Sequence, residues 1–490
     1  MDIFLRAFRT FIAFHLLFSY SLVDALGLDL RSTDSIKSTS RTLAESAIKY
    51  YDGNKPGGTP GMLPAVGEFN WWEAGALFGQ MVEYWYYTGD NTYNDITKQA
   101  LLFQAGPDHN YEPENQTRTE GNDDQAFWAF AAMSAAEMKF PNPDPKQPQW
   151  LALAQAVFNR QAGRWDSKHC GGGLRWQFNP LNNGFMEKNT ISNGCFFQLA
   201  ARLARYTKNE TYADWATKTY EWMVQSPLIS NKTYEVYDGF SFTEEKCNTQ
   251  PGPVQWSYNI GTMIAGTAFM YNHTNGDPKW KERLSGYLNN AQKVFFPEQY
   301  GGKTMVEYAC EGQGNCNKDQ RSFKAYLARW LAVAAQLAPY TQSQIMPWLQ
   351  TSATSAVKVC SGGPPGGVVC GRKWYVDQDD GTRDIGNQMT AMSVVQANLI
   401  KNVPSLADHK TGTSTGDASA GNGNRGKPTS ADILATRKIT TGDKIGAWLL
   451  TTLMVLVTLG WVAFLLSDRD NWDWIHIAYG GSTSHHWYGR

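Results

Sequence analysis

The sequence predicts an all-α fold, an (α/α)6 toroid of six helical hairpins, with a separate hydrophobic helix near the C-terminus. A recurring punctuation is the first reason. An aromatic residue closes one helix and another opens the next across a polar turn, at Tyr87 to Tyr93, Phe140 to Trp150, Tyr206 to Tyr212, Tyr271 to Trp280 and Tyr340 to Trp348. The first aromatics of successive turns stand 53, 66, 65 and 69 residues apart, a period that fits a helical hairpin repeat. The second reason is a set of six polar or aromatic helix starts: Asn70-Trp71-Trp72-Glu73, Asn122-Asp123-Asp124-Gln125, Ile191-Ser192-Asn193-Gly194, Ser257-Tyr258-Asn259, Ser322-Phe323-Lys324 and Gly386-Asn387-Gln388. Asn, Ser and Asp favour the N-cap of any helix. If the six first helices pack inside a ring, their capped starts also gather at one mouth.

The elements follow in order. Arg6 and Arg9 precede an apolar stretch at 11–23, with small residues at Ala25 and Gly27, so residues 1–27 read as a secretory signal peptide. Sequons at Asn115, Asn209, Asn231 and Asn272 agree with that route and are expected to carry glycans. The hairpin domain is assigned to 28–402, long enough to bury a large core. A Gly/Ser/Thr-rich stalk is expected at 403–444, since its composition offers little apolar surface to bury. Residues 445–466 carry no charge over 22 positions, which at about 1.5 Å per residue spans roughly the 30 Å bilayer core. A polar tail, 467–490, ends the chain. Small residues around Gly421 to Ala431 allow a cleaved lipid-anchor signal, but the tail extends beyond where such signals stop, which favours a retained span. The domain is then expected outside, at the plasma membrane or cell wall.

A net charge of −1 without a basic stripe excludes nucleic acid as a partner. The eight histidines are scattered and no His-Glu-x-x-His occurs, so neither a metal nor any other cofactor is expected. No Gly-x-Ser-x-Gly elbow supports a serine hydrolase. Of seven cysteines, Cys310 with Cys316 and Cys360 with Cys370 are the local bridges expected in an oxidising compartment. Among the other three, Cys170 with Cys247 is the favoured pair, leaving Cys195 as a buried thiol in an apolar helix.

The chemistry points to Asp123 and Asp124, adjacent carboxyls in a Gly/Asn turn before an apolar helix. Like charges this close push one pKa up while its neighbour stays ionised. Cleavage of an acetal needs that division: one acid protonates the leaving oxygen and one carboxylate attacks or stabilises the anomeric carbon. Neighbours at a helix start can bring oxygens to about 5 Å, the spacing of a retaining enzyme. Acids there also suit the helix dipole, which is the plainer explanation. Nineteen Trp residues fit either core packing or a sugar-stacking groove.

The run Asn122-Asp123-Asp124-Gln125-Ala126-Phe127-Trp128 within the six-unit pattern resembles glycoside hydrolase family 76, the endo-α-1,6-mannanases, and most of all its fungal cell-wall members. The resemblance extends over 32–399 and includes Asn70-Trp71-Trp72-Glu73-Ala74-Gly75, Gly171-Gly172-Gly173-Leu174-Arg175-Trp176, Lys188-Asn189-Thr190-Ile191-Ser192-Asn193, Trp256-Ser257-Tyr258-Asn259 and Phe323-Lys324-Ala325. It implies an (α/α)6 barrel and retaining chemistry without a metal, with Asp123 as nucleophile and Asp124 as general acid/base. It also implies α-1,6-mannan or the mannose core of a glycolipid anchor as substrate, with β-glucan as an acceptor if transglycosylation occurs. Around the acids, Trp72, Trp176, Trp256 and Tyr258 are candidates to stack on sugar faces, and Lys188, Asn193 and Asn259 to bond hydroxyls. A non-catalytic mannan-binding receptor on the same barrel is the competing reading.

Overall fold

Six helices form a closed inner ring in the computed structural model, which describes residues 26–64, 69–363, 367–421 and 440–466. The ring consists of α2 (Trp71–Thr88), α4 (Asn122–Glu137), α6 (Thr190–Thr207), α8 (Ser257–His273), α10 (Phe323–Leu337) and α12 (Ile385–Gln396). Each packs on the next, and α12 packs back on α2. Outer helices α3 (Asn94–Phe103), α5 (Trp150–Gly163), α7 (Glu210–Gln225), α9 (Pro278–Phe295) and α11 (Gln342–Lys358) back the first five. The sixth outer place is filled by the N-terminal α1 (Thr33–Ile48), so the last hairpin joins the two ends of the domain. This is the expected (α/α)6 toroid. All six predicted starts head inner helices, and the aromatic turns join inner to outer helices at the opposite end.

The inner helices have no solvent face, because each is flanked by two ring neighbours and covered by an outer helix. In α4 every residue is buried except Asp123 and Asp124. Close approach needs small residues: a Cβ on Gly75 would sit 2.8 Å from the ring of Trp128, which itself stacks on Trp71 at 5.3 Å. Buried ion pairs brace the ring across its helices, Arg202 with Glu137 at 2.6 Å and Arg329 with Glu83 at 2.8 Å. Removing one partner strands a buried charge. Arg329→Ala is therefore expected to cost about 3–5 kcal/mol, read as a lower denaturation midpoint at unchanged slope.

Among the described residues two small two-stranded antiparallel sheets decorate the ring: β1 (Glu187–Asn189) pairs with β2 (Gly239–Ser241) across α6 and α7, and β3 (Cys360–Gly363) pairs with β4 (Gly367–Cys370). Disulfides join Cys170 to Cys247, Cys310 to Cys316 and Cys360 to Cys370, and Cys195 is a buried free thiol.

Residues 403–421, inside the stretch expected as a stalk, lie along the body as a strap. The Ala407 amide donates to the Glu137 carbonyl at 2.7 Å, and Arg205 donates to the carbonyls of Leu406 and Ala407. Farther on, Gln155 accepts from the Asp417 amide at 2.7 Å and Asn159 donates to the Ala420 carbonyl. The composition argument counted apolar surface only. Here polar side chains of α5 and α6 satisfy the strap's backbone, and Leu406 and Ala407 are buried in the core.

Asn115, Asn209 and Asn231 are exposed. Asn272 is half-buried: its oxygen accepts from Arg205 at 2.9 Å and its nitrogen, the atom a glycan would occupy, donates to the Leu337 carbonyl. Glycopeptide mass spectrometry is expected to find the first three occupied and Asn272 bare.

The C-terminal unit is described by its helix α13 (Thr441–Leu466). Its Thr441–Phe464 portion, with mean hydropathy 2.0, is long and apolar enough to cross a membrane. The expected polar tail and all but the last two residues of the expected signal peptide lie outside the described residues.

Candidate active site

The N-terminal ends of α2, α4, α8 and α10, with the loops beside them, line a cleft of about 520 Å³. Asp123 and Asp124 lie on its wall at the second and third positions of α4, with Gly121 as N-cap. The Gly121 amide donates to Asp124 Oδ2 at 2.7 Å, so the capping role is real and coexists with exposure to the cleft. Around them the motif is structural. Asn122 donates to the Arg175 carbonyl at 2.8 Å and accepts from Arg164, and its amide donates to the Trp176 carbonyl at 3.0 Å. Gln125 donates to the Asn110 carbonyl at 2.8 Å. These bonds fix the turn that presents the two acids.

Both carboxyls are lifted from their ordinary range by withdrawal from bulk water, Asp124 to about 7. Asp123 is raised by burial and then by the charge of Asp124, against backbone N–H groups of the helix start and the nearby Ser192 hydroxyl. The contribution of Asp124's charge vanishes when Asp124 holds the proton. The two carboxyls therefore release their protons in two steps as a pair, and a pair that holds one proton offers one acid and one carboxylate, the division that acetal cleavage requires.

Trp72, Trp176, Trp256 and Tyr258 all line the cleft. Trp72 leans on Phe127 at 4.7 Å, while Tyr258 stacks flat on Phe323 at 3.7 Å. Three expected hydroxyl-binding residues are placed elsewhere. Lys188 is fully buried, its ammonium donating to the carbonyls of Asp166 and His169, at 3.2 and 2.6 Å, and of Gly172. Asn193, also fully buried, accepts from the Leu174 amide at 2.7 Å and donates to the Leu174 and Asn189 carbonyls. Both hold from behind the loop that carries Trp176. Asn259 stands behind the wall, donating to Asp238 Oδ1 at 3.0 Å. A polar residue at a helix start can cap, brace or face the ligand, and the sequence pattern is the same for all three.

The reading of the sequence missed Glu120, Asp238 and Asp319, each on the cleft wall. Asp319 accepts from Asn70 Nδ2 at 2.6 Å, linking the loop before α10 to the start of α2. Only Asn70, already marked as a helix start, hinted at that contact.

A six-hairpin barrel whose mouth sets paired carboxyls among aromatic walls defines a protein of the (α/α)6 glycosidase class. Residues 35–410 match the model of glycosyl hydrolase family 76, and the chain belongs to that family. It is 47% identical over 454 residues to the mannan endo-1,6-alpha-mannosidase DCW1 of Saccharomyces cerevisiae, covering 91% of this chain and 97% of that protein. It is also similar to the crystal structure of Dfg5 from Chaetomium thermophilum in complex with glucosamine, with TM-score 0.76 and 43% identity over 83% of this chain and 99% of that one. An inactive double Asp→Asn variant of the α-1,6-mannanase of Salegentibacter sp. HEL1_6, in complex with α-1,6-mannotriose, shares the fold at TM-score 0.59 and 18% identity, over 74% of this chain and 99% of that one.

Proposed function

We propose that this chain is an endo-acting α-1,6-mannosidase of the cell wall, working by retaining double displacement, with Asp123 as nucleophile and Asp124 as general acid/base. The observation that carries this reading is α4: in a helix otherwise wholly buried, the two residues left open to the cleft are adjacent carboxyls. Asp123 attacks the anomeric carbon while Asp124 protonates the departing oxygen. Asp124, now a base, then removes a proton from the incoming hydroxyl. Water at that step gives hydrolysis, and a sugar hydroxyl gives transfer. Transfer of an anchor-linked mannose core onto β-glucan would make the enzyme a wall cross-linker, tethered by α13 with its catalytic domain outside.

Product analysis tests this. The purified full-length protein is incubated with an α-1,6-mannan oligosaccharide, with and without a β-glucan acceptor. Shortened mannan or mannose-bearing glucan supports the reading and separates its two outcomes. Binding without turnover at any pH would replace it with a receptor.

The acid's proton sets the pH dependence. Asp124 must be protonated to act, so kcat/KM is expected to fall as pH rises through about 7. Linkage has the same sign. A carboxyl whose folded pKa is raised holds its proton longer in the native state, so stability declines as pH climbs from about 4 towards that value. Denaturation midpoints across that range should drop in the unaltered protein and drop less in Asp124→Asn.

A further inference from the structure

We infer that Glu120 is a substrate-binding residue, its two carboxyl oxygens gripping hydroxyl groups of the sugar seated over Asp123 and Asp124. The inference deepens the mannosidase reading and rests on it.

Glu120 ends the turn that leads into α4, its amide donating to the Gln116 carbonyl at 3.1 Å. Its side chain lines the cleft although the residue is only 2% exposed. Neither carboxyl oxygen has a hydrogen-bond partner among the described residues. The other buried glutamates among the described residues each have at least one hydrogen-bond or ion-pair partner: Glu83 has Arg329, Glu137 has Arg202, Glu311 has the Lys324 ammonium, Glu73 has the Asn70 amide and Glu307 has Ser257. Buried polar groups without partners are rare and call for a cause. Here the side chain lines the same cleft as the reacting pair.

The charged groups near Glu120 are Asp123, Asp124 and Arg160, and Arg160 is turned to Glu112 at 3.0 Å. Burial, followed by the charge of Asp124, holds the Glu120 carboxyl well above its ordinary range. A neutral carboxyl offers one donor and one acceptor on adjacent atoms. Neighbouring hydroxyls of a hexose each donate and accept, so one Glu120 side chain can meet two of them. Being neutral, it adds no further charge beside Asp123 and Asp124.

The test uses the full-length enzyme and α-1,6-mannotetraose. Glu120→Ala is expected to lower kcat/KM by about 100-fold or more while its melting temperature stays at or above that of the unaltered enzyme. Glu120→Gln keeps one donor and one acceptor, so it should lose less than about 10-fold and leave the alkaline limb of the pH profile in place. With mannosides lacking single hydroxyls on the reacting sugar, the hydroxyl that Glu120 holds should matter to the unaltered enzyme and not to Glu120→Ala. A folded Glu120→Ala with unaltered kcat/KM would overturn the inference, as would a downward shift of the alkaline limb in Glu120→Gln, which would show that Glu120 was charged. Absence of turnover and of binding in the unaltered protein would instead remove the mannosidase reading, and this inference with it.

Discussion

Asp123→Asn should lower turnover of α-1,6-mannan by roughly 10⁴-fold or more, because the amide cannot form the glycosyl ester and no other carboxyl stands at that helix position. Asp124→Asn should lose about 10²–10⁴-fold, the range for a missing general acid. The two variants differ in a way that assigns the roles. An aryl mannoside with a good leaving group needs no protonation to depart, so Asp124→Asn should form the glycosyl-enzyme on it at close to the normal rate. Asp123→Asn should not. The reverse pattern would exchange the roles, and full activity in either variant would end the assignment. Stability should move the other way from activity. The amides remove charge from an acid pair that burial disfavours, so each variant should gain about 1–3 kcal/mol at neutral pH. Melting curves at pH 5 and pH 8 would show the gain at the higher pH and little at the lower.

Gly121→Ala should lower kcat by about 100-fold, the scale of a misplacement near 1 Å. The glycine has φ −99°, which alanine adopts without strain. What alanine meets is chemistry: its Cβ would lie 2.4 Å from Asp123 Oδ1 and 3.2 Å from both Gln177 and Trp176. Asp123 is the neighbour with room to yield, since Gln177 and Trp176 belong to the loop tied to Asn122. A steady-state assay with a thermal melt checks it. The expected signature is lost kcat with a melting temperature nearly unchanged, and unchanged kcat would show that the carboxyl tolerates the contact.

The sequence made the ring and the acid pair legible for one reason. Helix starts and aromatic turns are local signals, and six starts with five recurring turns between them admit few architectures. Cys310 with Cys316 and Cys360 with Cys370 were legible on the same grounds, being close in the chain. The acids that complete the cleft were not. Glu120, Asp238 and Asp319 sit on loops with no periodicity, and Asp319 meets Asn70 across 249 positions. Lys188, Asn193 and Asn259 were misplaced for the opposite reason: their motif was visible, but whether a buried polar group faces a ligand or a backbone carbonyl depends on loops far away in the sequence. Residues 403–421 were missed because what anchors them, the Arg205, Gln155 and Asn159 side chains and the core that buries Leu406 and Ala407, lies far away in the sequence.

Because α1 completes the outer layer beside α12, the first helix among the described residues waits for the last helix of the inner ring. Ile385 follows Ile48 by 337 positions, and at about 5–20 residues per second that interval is roughly 17–70 s. For that time Ile36, Leu43, Ala44 and Ala47, all buried in the finished ring, lack the cover that α12 gives and remain open to chaperones and to wrong contacts. Closure is thus a single late event. It comes with its own fastening, because the β3–β4 hairpin bridged by Cys360 and Cys370 arrives just ahead of α12 and meets α1 where the Val368 amide donates to Ser46 at 3.0 Å. A chain halted before that point would hold five hairpins and an open seam, with the acid pair already made but the mouth around it unfinished.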